Sequence, residues 1–183
     1  SDNGTIVPTG VQVGLGVKTT GIYRNHDQGT VQVTENPLDM AMDGPGYFMV
    51  TRPDGSIAYS RDGAFRISDQ GEMVTTQGYP LEPAVNIPEG AQSLSVGNDG
   101  TVTVVMPGQA EPVEVGKIDI ASFINEGGLQ PIGDNFYLET GASGPPIIGE
   151  PGLEGRGSIR QGALEASNVN VVEELVSMIE TQR

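Results

Sequence analysis

The chain has 183 residues, 36% of them hydrophobic, which is enough for one real core, and no apolar run approaches the roughly 20 residues a transmembrane helix needs. Its net charge of −15, with 9 Lys+Arg against 24 Asp+Glu, argues against nucleic acid and anionic membrane surfaces as partners. With no cysteine it has neither disulfides nor thiolate chemistry, a composition that suits export unfolded through a narrow channel into an oxidising space.

At the start, Ser1-Asp2-Asn3 offers no basic region and no apolar stretch of a cleaved signal peptide. GTIVPTGVQVGLGVKTTG then places Gly at 4, 10, 14, 16 and 21 among β-branched residues, the pattern of an extended segment rather than a packed strand. Residues 30–35 (TVQVTE) alternate at period two and read as a strand. The first 35 residues are therefore expected to form an extended segment, followed by a β-rich domain over 36–160.

Within that domain, LDMAMD is expected to put Leu38, Met40 and Met42 on one face and Asp39, Ala41 and Asp43 on the other. Gly44-Pro45-Gly46 leads into YFMVTR, and Pro53-Asp54-Gly55 is a turn, because Pro presets φ and Gly accepts a positive one. IAYSR, AFRIS, EMVTT, SLSV and TVTVVM follow, parted by Asp62-Gly63, Asp69-Gln70-Gly71 and Asn98-Asp99-Gly100. A strand plus turn every 8–10 residues or so indicates an all-β domain. VEVGKIDIASFI (113–124) is the last strand expected, and residues 140–157, dominated by Gly and Pro, read as a loop.

The end of the chain, residues 161–183, carries helical periodicity. Asn170 is placed as N-cap with Glu173 to complete a capping box. Val172, Leu175, Val176 and Ile179 recur at i, i+3, i+4 and i+7, with Val171 and Met178 widening the stripe. No stop signal closes the pattern, which ends on Thr181-Gln182-Arg183. A helix of about a dozen residues is marginal in water, so this stripe needs cover, either from its own domain or from another segment or subunit.

Catalytic and metal chemistry find little support. The one histidine, His26, sits beside Asp27 in a polar stretch, and no G-x-S-x-G elbow accompanies it. None of the Asp-Gly pairs fits a calcium loop, so they read as turns. In GLGVKTT, Val17 separates Gly16 from Lys18, against a phosphate loop. A carbohydrate-binding or hydrolysing β domain would want an aromatic groove, which 5% aromatics and no tryptophan scarcely supply. No catalytic residue, cofactor or metal ligand is assigned.

Three stretches together resemble the bacterial flagellar axial proteins of the rod and hook. NPLDMAMDGPGYFMV (36–50) is similar to that family's L-D-x-A-I-x-G-x-G-F-F segment, with Met42 for Ile and Tyr47 for the first Phe. YSRDGAFRISDQGEMVTTQGYPL (59–81) resembles Y-T-R-x-G-x-F followed by D-x-x-G-x-L-V, with Ser60 for Thr and Met73 for Leu. GALEASNVNVVEELVSMIETQR (162–183) resembles the signature L-E-x-S-N-V, which opens a long helix running on past Q-R. Three further stretches, GTIVPTGVQVGLGVKTTG, NIPEGAQSLSVGNDGTVTVVMPGQ and GDNFYLETGASG, are most similar to the distal-rod members, and hook subunits usually carry a larger outer domain.

The resemblance implies a structural subunit whose terminal helices pack as a coiled coil lining a tube, with the β domain outside. On that reading the chain is a core fragment lacking the polymerising termini. Residues 161–183 would begin the assembly helix, with Val171, Val172, Leu175, Val176, Met178 and Ile179 as interface. Val7, Pro8, Val11, Val13, Leu15 and Val17 would form a segment between subunits. The implied partners are copies of itself in a helical tube, neighbouring proximal-rod and hook subunits, the surrounding ring proteins and the flagellar export apparatus. The implied place is the periplasmic rod of the basal body. A proximal-rod or hook subunit is the alternative. The expected fold is mainly antiparallel β, with the Gly-rich extended segment before it and an α-helix after it.

Overall fold

The computed structural model describes residues 28–166, which form one compact unit, Gln28–Ala166. It contains fifteen short strands and a single 3-10 turn at Glu126–Gly128, with every strand pairing antiparallel. In chain order the strands are β1 (Val31–Val33), β2 (Met40–Asp43), β3 (Tyr47–Thr51), β4 (Ile57–Ser60), β5 (Phe65–Ile67), β6 (Met73–Thr75), β7 (Ser93–Val96) and β8 (Thr101–Val105). They continue as β9 (Val113–Lys117), β10 (Ile120–Ser122), β11 (Gln130–Gly133), β12 (Phe136–Leu138), β13 (Ile147–Gly149), β14 (Ser158–Gln161) and β15 (Ala163–Glu165).

The largest sheet has six strands in the order β11-β12-β4-β3-β10-β13. Its central strand β3 is apolar at successive positions, because both of its faces are covered. Phe48 and Val50 enter the main core with Met40, Met42, Met73, Val102, Val104 and Ile118. Tyr47 and Met49 point the other way, into a second cluster with Tyr59, Ala121, Phe123 and Leu129. Phe123 and Leu129 flank the 3-10 turn, so the segment after β10 folds over this second face. Its aromatic rings meet edge to face: Tyr59 and Phe123 lie 4.9 Å apart, Tyr47 and Phe123 5.9 Å.

A meander, β9-β8-β7, supplies Val102 and Val104 from alternate positions of β8, as the period-two pattern of TVTVV requires. Strands β5 and β6 form a hairpin that brings Phe65 and Met73 to the same core. The last two strands turn back on the first two: β14 pairs with β2, and β15 with β1.

The sequence expectations meet the structure unevenly. The fold is mainly antiparallel β, and the turns at 53–55, 69–71 and 98–100 fall between strands. Residues 113–124 form two strands, β9 and β10, rather than one. Ile118 lies between them, and β10 crosses into a different sheet from β9. Part of the supposed loop at 140–157 is strand β13, which pairs along Ile120–Ser122. Ala41 is as buried as Met40 and Met42, so β2 is not two-faced as expected. Residues 163–165, read with the terminal helix, are a strand, because they complete a ladder with β1. The helix itself, from its cap at Asn170 onward, lies outside the described residues.

Candidate functional site

All twelve interface residues expected from the sequence lie outside the described residues. These are Val7, Pro8, Val11, Val13, Leu15 and Val17 in the leading segment, and Val171, Val172, Leu175, Val176, Met178 and Ile179 in the trailing one. What the structure does place is the root of the unit, where the chain enters at Gln28 and leaves at Ala166.

The entering and leaving strands lie side by side. Val31, Gln32 and Val33 pair with Glu165, Leu164 and Ala163, and the Ala166 amide donates to the Thr30 carbonyl at 2.7 Å. At the far end of this ribbon the Gly162 carbonyl accepts from the amides of Thr34 and Glu35, at 2.8 and 2.9 Å.

One side chain ties the ribbon to the large sheet. Arg61 follows β4, and its guanidinium donates through Nη1 to the carbonyls of Gly44 and Gly46, at 2.7 and 2.8 Å. Those carbonyls belong to the tight turn between β2 and β3. The other side of the guanidinium grips the Glu165 carboxylate in a fork, Nε to Oε1 at 2.9 Å and Nη2 to Oε2 at 2.8 Å. Nη2 also faces the Gln28 Oε1 at 3.0 Å and the Met42 carbonyl at 3.3 Å. Every N–H of the guanidinium thus has an acceptor, which its planar geometry permits and a lysine's does not.

Gln28 completes the arrangement. Its amide nitrogen donates to Glu165 Oε2 at 2.6 Å and to the Met42 carbonyl at 3.0 Å, and its oxygen accepts from the Gly44 amide at 2.9 Å. The Gly29 amide also donates to Glu165 Oε2, at 2.7 Å. The side chain of Glu165 is 7% exposed and that of Arg61 20%, so both charges are largely withdrawn from water and depend on each other.

The arrangement joins the entering strand, the leaving strand and the turn between β2 and β3 through side chains. Among the described residues no group of three or more His, Cys, Asp or Glu is placed to hold a metal ion. Sequence reading passed over Arg61, Gln28 and Glu165 as a site. Arg61 and Glu165 both stand inside the quoted motifs, YSRDGAF and GALEASNV, but 104 positions separate them and nothing in one dimension pairs them.

The comparisons bear on both ends of this root. Residues 41–104 match the family model described as the flagellar hook protein FlgE/F/G D1 domain, and residues 160–183 match the flagellar basal body rod FlgEFG protein C-terminal model. Along its whole length the chain is 47% identical over 183 residues to the flagellar basal-body rod protein FlgG of Caulobacter vibrioides, covering 100% of this chain and 70% of that protein. The chain belongs to the flagellar basal-body rod protein family. It is also 46% identical over 179 residues to FlgG of Buchnera aphidicola subsp. Schizaphis graminum, covering 98% of this chain and 69% of that one. The rod protein FlgF of Caulobacter vibrioides is less similar, at 32% over 174 residues, covering 91% of this chain and 64% of its own length. Of the two rod proteins from that one organism, the chain therefore sides with FlgG. In this rod-family chain Arg61 lies inside the first matched region and Glu165 inside the second, so the clamp joins the two.

Proposed function

We propose that the chain is a structural subunit of the flagellar distal rod, the drive shaft that polymerises into a tube and carries torque from motor to hook. The observation that carries this reading is similarity to FlgG rod proteins from one end of the chain to the other, well above that to FlgF. Copies of itself, neighbouring rod and hook subunits, the ring proteins around the rod and the export apparatus are the partners this role requires. It also requires passage to the periplasm and needs no catalysis or cofactor.

In this reading residues 36–160 face outward, the Gly-rich stretch with Val7, Pro8, Val11, Val13, Leu15 and Val17 bridges neighbouring subunits, and the trailing segment supplies the assembly helix. The apolar stripe of Val171, Val172, Leu175, Val176, Met178 and Ile179 is then a dry seam against other helices. An aspartate at position 175 would place an unpaired charge in that seam, at a cost of several kcal/mol. Glu174 falls off the stripe, and losing an exposed charge costs at most about 1 kcal/mol.

The test uses the full-length protein in cells. Leu175→Asp should abolish completed rods and motility, while circular dichroism of the purified variant retains the β signature. Glu174→Gln should swim normally. Motile Leu175→Asp cells with ordinary rods would remove the seam from the proposal.

A further inference from the structure

We propose that Arg61 is a positioning residue for assembly: it holds the strands by which the chain enters and leaves the β unit at a fixed angle to the large sheet. This rests on the rod reading, because a subunit that transmits torque must not let its two chain exits swing.

Apart from an anchor at its far end, where the Gly162 amide donates to the Asp39 carbonyl at 2.7 Å and the Thr34 hydroxyl to the Asp39 carboxylate at 2.8 Å, the ribbon of β1 and β15 has little else to fix it. It is two strands of three residues each, a size that is marginal without a packed face. Neither Val31 nor Val33 is buried, and Val33 is 61% exposed, so the entering strand contributes almost no apolar contact. Only Ala163 is fully covered. The ribbon's backbone ladder sets the register of the two strands with each other, but not their direction relative to the sheet. With the far end held at Asp39, that direction is set at the near end, where Arg61 spans from the Gly44 and Gly46 carbonyls to Glu165 and Gln28 bridges Glu165 to the Met42 carbonyl and the Gly44 amide. The clamp acts on both exits at once, because Glu165 takes hydrogen bonds from Gln28 and Gly29 on the entering strand while itself standing on the leaving one.

The requirement is for the fork and not for positive charge. A lysine would keep the charge but has three donors on one nitrogen, too few and too close together to reach two turn carbonyls, a carboxylate and Gln28. The arrangement therefore separates two roles that a simple stabilising ion pair would confound.

Full-length Arg61→Lys, Arg61→Met and Glu165→Gln proteins, with Val104→Ala as a core control, are compared by hydrogen exchange. The amides of Gly29, Thr34 and Ala166 report the ribbon, and those of β8 report the core. Each clamp variant should speed ribbon exchange on the order of tenfold or more while leaving β8 within about twofold. Val104→Ala should speed both together. In cells, all three clamp variants should swim progressively worse than wild type as medium viscosity rises, whereas Val104→Ala should not. Unchanged ribbon exchange, or a rise shared equally with β8, overturns the positioning role. Ribbon loosening with normal swimming at every load removes its part in torque and leaves the rod reading itself standing. Full rescue by Arg61→Lys would overturn the claim that the fork is needed.

Discussion

At the scale of single residues, two positions show how tightly the packing is drawn. Gly63 follows Arg61 by two, and its carbonyl accepts from the Met40 amide at 2.9 Å. A Cβ there would fall inside the van der Waals radius of the Met40 carbonyl oxygen, which is held in a buried strand and cannot give way. Gly63→Ala should therefore destabilise the protein by about 3 kcal/mol, through overpacking against backbone. Gly55→Ala meets nothing within 4 Å and faces only its positive φ, so about 1 kcal/mol is expected. Urea unfolding of the two variants checks the contrast; a loss at Gly63 no larger than at Gly55 would mean that the Met40 backbone yields to the added methyl. Tyr47 shows an electrostatic effect of the same packing. Its burial, reinforced by the carboxylate of Glu126 and by Tyr137, holds the phenol well above the ordinary tyrosine range. The folded protein thus keeps a proton that the unfolded chain releases above about pH 10. Stability from this group is complete below that pH and is lost as pH rises further. Tyr59, also raised by burial and then by Glu139, adds to the same loss. Between pH 9 and 11.5 or so the urea midpoint of wild type should fall more steeply than that of Tyr47→Phe. Parallel curves would show that Tyr47 ionises freely in the folded state.

At the scale of elements, the small sheets are joined by side chains that cross between them. Gln161 ends β14, which pairs with β2, yet its amide reaches the meander. Its Oε1 accepts from the Val96 amide at 3.0 Å, and its Nε2 donates to the carbonyls of Leu94 and Pro37 at 3.0 and 2.8 Å. Gln161→Ala would leave these β7 groups without their partner and should cost about 2 kcal/mol. Gln161→Glu keeps the acceptor but loses the donor, and should be no better at pH 7. Thermal unfolding checks both, and an unchanged midpoint for Gln161→Ala would mean that water replaces the amide fully. The same crossing contacts explain what the sequence leaves unread. Local signals announce β7 and β8, because SLSV and TVTVV alternate on either side of Asn98-Asp99-Gly100. The hairpin of β11 and β12 also had a signal, Gly133-Asp134-Asn135, whose three positive φ angles make a tight reversal that this sequence favours. Strand β13 had none: IIG between Pro146 and Glu150 is extended only because β10 lies beside it. Both-face burial of β2 and β3 likewise depends on layers supplied from far along the chain. The clamp is illegible for the same reason, since its meaning lies in the approach of Gln28 and Glu165, at the two ends of the unit, to Arg61 far from either in sequence.

At the scale of the whole molecule, charge and apolar surface act in opposite directions on association. With 24 Asp+Glu against 9 Lys+Arg, two copies repel at every approach. At about 0.01 M salt this repulsion reaches about 30 Å, and at 0.1 M it shrinks to about 10 Å. The expected seam of Val171, Val172, Leu175, Val176, Met178 and Ile179 is apolar, and contact along it is not weakened by salt. Association of the 183-residue chain should therefore grow with ionic strength rather than decline. Sedimentation at micromolar concentration should find monomer at about 0.01 M salt and a rising oligomer fraction towards 0.5 M. Leu175→Asp should abolish the rise, whereas Glu174→Gln, which removes one negative charge, should move its onset slightly lower. Assemblies that form at low salt and dissolve at high salt would mean that charge pairing, and not the apolar seam, brings copies together.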